Sequence, residues 1–86
     1  MRVKVTAKKN DDGLWDNKLV ITRWRGSGWS LEDIDDLVDD NGGVLVKEKP
    51  LTFKIYDCER SYESSVEVDT ILMNLKNYSL DEIEVH

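Results

Sequence analysis

Apolar side chains recur at every second position in several stretches of this chain, and that period commits those stretches to β-strands. Over 2–8, Val3, Val5 and Ala7 alternate with Arg2, Lys4 and Thr6, the pattern of a strand with one dry and one wet face. Asn10-Asp11-Asp12-Gly13 follows. Asn and Asp bond their own backbone there and Gly accepts positive φ, so a hairpin into the next strand is expected. That strand is predicted over 18–24, where Leu19 and Ile21 alternate with Val20, Thr22 and Trp24. Apolar groups on both faces suit a central or helix-covered strand. Two more strands are predicted over 44–48 and 51–56, joined at Lys49-Pro50, and Ile83 and Val85 alternate in a closing strand.

Two stretches break that period. Gly26-Ser27-Gly28 interrupts the strands, and Ser30-Leu31-Glu32-Asp33 has the form of a capping box with Asp in place of Glu, so a helix is expected from Leu31 until Asn41-Gly42-Gly43 ends it. At 3.6 residues per turn, Leu31, Ile34, Leu37 and Val38 share an arc of roughly 120°, a stripe able to dock on a sheet. Residues 61–65 read as loop and 66–68 as a strand extension. Asp69 then caps a second helix over 70–77, on which Ile71, Leu72 and Leu75 share a face. The order β-β-α-β-β-α-β predicts an α+β fold: a mostly antiparallel sheet of about five strands with two helices packed on one face. At 86 residues there is room for one core, so residues 1–86 are read as a single domain.

The residue types that most chemistry needs are scarce. Cys58 is the only cysteine, which excludes an internal disulfide and favours a reducing compartment, and it is read as a small core hydrophobe. His86 is the only histidine and the last residue, so neither Cys-His nor Ser-His catalysis has a credible base. Asp39-Asp40-Asn41-Gly42 and Asn10-Asp11-Asp12-Gly13 both miss the D-x-[DN]-x-[DN]-G spacing that wraps calcium. The expectation is a protein without enzymatic activity, metal or cofactor. No apolar run approaches the ~20 residues of a membrane span and residues 1–5 do not read as a signal peptide, so a soluble cytoplasmic protein is expected.

The formal charge is -6. A net negative charge argues against direct nucleic-acid binding and against anionic membranes. The charge is divided: residues 1–31 carry net +4 and residues 32–86 net -10. Glu32, Asp33, Asp35, Asp36, Asp39 and Asp40 fill six of nine helical positions with no Lys or Arg among them. Six like-charge pairs at i,i+3 and i,i+4 would cost that helix roughly 1–3 kcal/mol before screening, and Asp39 and Asp40 stand at the negative end of the dipole. A helix that served only solubility would gain more from mixed Glu and Lys. Six charges along about 13.5 Å give one per ~2 Å, close to the one per ~1.7 Å of duplex DNA.

The second candidate is Arg23-Trp24-Arg25-Gly26-Ser27-Gly28-Trp29. Trp and Arg are the residues enriched at interface hot spots, which nominates Trp24, Arg25 and Trp29, although a tryptophan in so short a chain also serves a core. A phosphate cradle at these glycines is disfavoured, since Glu32 and Asp33 already occupy the positive helix end. In profile the chain is similar to compact acidic proteins that block nucleic-acid-handling machinery, phage-encoded inhibitors of host defence or transcription among them. The likeness is one of composition and carries no family. The function expected is a non-enzymatic inhibitor whose acidic helix occupies a basic, nucleic-acid-binding surface of a partner protein, in the host cytoplasm if phage-encoded. The alternative is an accessory subunit of a larger assembly, held through tryptophans and strand edges with the acids turned to solvent.

Overall fold

A computed structural model describes residues 1–76 and 78–84. Asn77, expected to end the second helix, Val85 of the closing strand and His86 lie outside the described residues. The elements are β1 (Arg2–Lys9), β2 (Trp15–Thr22), α1 (Leu31–Asp40), β3 (Val44–Glu48), β4 (Leu51–Cys58), α2 (Val66–Leu75) and β5 (Ser79–Glu84). The strands form one sheet in the order β3-β4-β2-β1-β5. Every pairing is antiparallel except β1 with β5, which is parallel. This is the expected α+β fold and the expected element order.

The alternation on each strand sets which face is dry. Register places Val3 beside Ile21, Val5 beside Leu19 and Ala7 beside Asn17, and β2 continues the same rows with Leu19 beside Phe53 and Ile21 beside Leu51. These residues are buried, together with Ile34 and Val38 of α1 and Val68, Ile71, Leu72 and Leu75 of α2, in one core. Both helices therefore cover the same face of the sheet. Leu31 and Leu37 pack at its rim.

Several boundaries differ from expectation. β2 begins at Trp15 and ends at Thr22, so Trp24 is not on the strand. Arg23 takes φ 54 and turns the chain out of the sheet, while Trp15 and Asp16 extend the hairpin opposite Lys9 and Lys8. β4 runs on to Cys58 across a bulge where Asp57 takes φ 57 and donates its amide to Asp16 Oδ1 at 3.1 Å. Residues 66–68 are helix, not strand: Ser65 is the N-cap, its Oγ accepting the Val68 amide at 3.3 Å, and Asp69 lies inside the helix. The strand preference of Val66 and Val68 yields to the cap and to the burial of Val68 in the core.

β5 is anchored by polar contacts as well as by its ladder to β1. The Ser79 amide donates to the Met1 carbonyl at 3.1 Å, and Arg2 Nε donates to Asp81 Oδ2 at 2.7 Å. The hydrogen bond from Arg2, and its positive charge, hold the Asp81 carboxyl below the usual carboxylate range. A depressed folded-state pKa stabilises the fold above the unfolded carboxylate pKa, and that contribution is lost as pH falls through the lowered value. Acidification is thus expected to speed amide hydrogen exchange in β5 relative to β2, with Asp81→Asn reproducing the effect at neutral pH. Equal acid response in the two strands would contradict it.

Candidate functional site

The six acids of α1 are displayed outward because its apolar residues are spoken for. Ile34 and Val38 are fully buried and Leu31 and Leu37 lie against the core. Glu32, Asp33, Asp36, Asp39 and Asp40 are exposed and Asp35 is half-buried. Ser30 caps the helix as expected, its Oγ accepting the Asp33 amide at 3.1 Å. The other end has no basic residue in its last turn, and Asn41 Nδ2 donates to the Leu37 carbonyl at 2.9 Å.

Among the described residues the one salt bridge is Arg2–Asp81, and no described cation is paired with an α1 carboxylate. The basic N-terminal strands do not neutralise the helix. Their outward lysines lie on the sheet face that the helices leave open. The molecule is polarised, with acids over one layer and lysines over the other.

The Arg/Trp segment is built differently. Gly26 and Gly28 take φ 82 and 92, conformations costly to a side chain, and let the 23–29 segment fold tightly. Trp24 is half-buried against the core with the Arg25 guanidinium 5.4 Å from its ring centroid. Both line a groove of about 440 Å³ with Arg23, Lys49 and Pro50, and no α1 residue contributes to it. Trp29 is half-buried too, and its Nε1 donates to the Leu75 carbonyl at 3.1 Å, tying the start of α1 to the end of α2. Trp29 thus has a packing role, whereas Arg25 is exposed. The structure groups the six acids on one surface and places Trp24 and Arg25 in a separate groove.

Cys58 is buried, and burial raises its thiol pKa, with the nearby Asn17 amide offsetting part of the rise. A thiol held protonated is a poor nucleophile. Asn17 is itself fully buried at a core position, where its Nδ2 donates to the Arg60 carbonyl at 3.1 Å. Among the described residues no three His, Cys, Asp or Glu side chains gather as a metal site, and no helix is long and apolar enough to cross a membrane.

Sequence reasoning missed the cationic surface of the open sheet face, formed by Lys4, Lys8, Lys18 and Lys54. Part of it was visible, since Arg2 and Lys4 fall on the polar side of β1. Its assembly with Lys18 and Lys54 depends on the register between strands far apart in sequence. No protein-family model, curated protein or solved structure matches the chain. The functional reading therefore rests on these surfaces alone.

Proposed function

We propose that this chain is a non-enzymatic binding protein that inhibits a partner by seating the outer face of α1 on a basic, nucleic-acid-binding surface. The observation that supports this reading is the uncompensated row itself: six carboxylates on one short helix, none paired with a cation of its own chain among the described residues. The arrangement costs helix stability, and a cationic partner would recover that cost. Binding of this kind is fast, electrostatically steered and steeply weakened by salt. The action is occlusion, with no bond made or broken, and the setting is the cytoplasm, that of a host cell if the chain is phage-encoded.

The test is capture of a partner from cell lysate at low and high salt by wild-type protein and by the Asp36→Lys/Asp39→Lys variant. Wild-type capture is expected at low salt, with release by high salt and by added duplex oligonucleotide. Loss of two interfacial charge contacts is worth about 2–5 kcal/mol or more, so the variant should retain less than about a thirtieth of the affinity. Four of the six like-charge pairs become attractive in that variant, so its thermal midpoint should stay level or rise. Undiminished capture by a folded variant would sink the proposal. It would favour the accessory-subunit reading, whose support here is β3, an edge strand with Val44 and Val46 46% and 44% exposed.

A further inference from the structure

The open face of the sheet carries a lysine cluster that only the folded register reveals. Lys18 on β2 lies directly across from Lys54 on β4. On its other side, Lys4 pairs with Val20 and Lys8 with Asp16, which puts both lysines diagonal to Lys18. Like charges directly opposite in a sheet repel, and diagonal neighbours remain within reach of long side chains. Asp16 lies directly across from Lys8, and its Oδ1 also accepts from Asn10 Nδ2 at 3.2 Å and from the Asp57 amide at 3.1 Å. Asp81, at the edge, is bonded to Arg2 and lies beside Lys4 in register. None of the four lysines forms a salt bridge among the described residues.

We infer that this face is the docking surface for the acidic helix of a second copy of this chain. Charge complementarity is the first ground, because the molecule carries a row of six carboxylates on one side and four lysines, outnumbering the neighbouring Asp16 and Asp81, on the other, with none of these six acids or four lysines in a salt bridge among the described residues. Size is the second. Four residues from Lys4 to Lys8 span about 13 Å along β1, and β1 to β4 is about 10 Å across, a patch matched by the ~13.5 Å acidic stretch of α1. A molecule cannot satisfy its own patch, since α1 packs on the opposite face of the same sheet. The contact is therefore between copies and heterologous, helix of one on sheet of the next, so it propagates head to tail. The half-buried Val20 lies among the lysines and the exposed Val44 and Tyr56 flank Lys54, a small apolar area, so the contact is governed mainly by charge and is weak and salt-sensitive. It goes beyond the partner contact proposed above and competes with it for the same helix.

The experiment is sedimentation velocity on the full chain, from about 1 μM to about 1 mM protein, at roughly 10 mM and roughly 1 M ionic strength. At low salt the weight-average mass should at least double across the series, and at high salt it should stay at the monomer value. Lys18→Gln/Lys54→Gln removes the sheet surface and Asp36→Lys/Asp39→Lys the helix surface, so each alone should remain monomeric. Their equimolar mixture should form one-to-one complexes, because one variant supplies the helix and the other the sheet. Lys4→Gln/Lys8→Gln repeats the sheet arm should the first pair fail to fold, with circular dichroism as the check. A wild-type chain that stays monomeric, or association that survives loss of the lysines, would overturn the inference. So would a monomer that binds a fluorescent single-stranded oligonucleotide through Lys18 and Lys54, which would assign the face to a phosphate-bearing strand. Partner capture by the lysine variants is read separately and should persist, so failure of self-association leaves the proposed function standing.

Discussion

Phe53→Ala is expected to lower the free energy of unfolding by about 3–5 kcal/mol, the range for deleting a buried aromatic. Phe53 is the largest fully buried side chain among the described residues. It sits on β4 between Leu19 of β2 and Leu45 of β3, and so touches the rows that join the edge of the sheet to its centre. A domain of this size holds about 5–15 kcal/mol in all, and 1 kcal/mol shifts the thermal midpoint by roughly 4–8 °C. The variant should therefore melt at least about 12 °C below wild type and show a lower urea midpoint with an unchanged slope. A loss under about 1 kcal/mol would mean that the core in solution is not the one described.

Gly43→Ala is the second large effect, and it acts by crowding. Gly43 is buried where α1 hands over to β3, and its amide donates to the Val38 carbonyl at 2.9 Å. An added Cβ would lie 2.3 Å from Val38 Cγ1, 3.2 Å from the Val38 carbonyl oxygen and 3.3 Å from Ile55 Cγ1. The methyl contact is impossible without movement, and overpacking of this kind costs about 1–3 kcal/mol. Val38→Ala removes the nearest atom. Each single variant should be destabilised, and the double variant should be more stable than their sum predicts by about 0.5–3 kcal/mol in denaturant melts. Strict additivity would place the clash in the Val38 carbonyl and not in its side chain. The site matters for function because this junction fixes the angle at which the acidic row is presented.

How much of this was legible in the sequence differs by element. α1 was readable at both ends because its signals are local: Ser30 as cap, Asn41-Gly42-Gly43 as stop, and an apolar stripe of which Ile34 and Val38 are buried. β1 and β3 were readable from alternation and flanking turns. β2 was placed too late because Trp24 continues the apolar alternation, whereas the end of the strand is set by the positive φ of Arg23, which no side-chain pattern announces. α2 was started too late because Val66 and Val68 favour strands, while Ser65 had the geometry to cap. The acidic surface was fully visible, being six acids in one run. The lysine cluster was not, since Lys4, Lys18 and Lys54 meet only through a register that joins three strands. Net charge hid it further, because a total of -6 says nothing about how charge is shared between two faces.

The parallel pairing of β1 with β5 also governs when the fold can be finished. β1 lies between β2 and β5, and its partner on one side, Ser79–Glu84, follows every other element in chain order. The β1–β2 hairpin can close early, since its contacts are local, yet the far edge of β1 stays open on a nascent chain until β5 has left the ribosome. Lys4 and Lys8 lie on that strand, and charged residues there discourage other strands from adding to it in the meantime. The lysines proposed above for docking would thus also guard an edge that is temporary during folding.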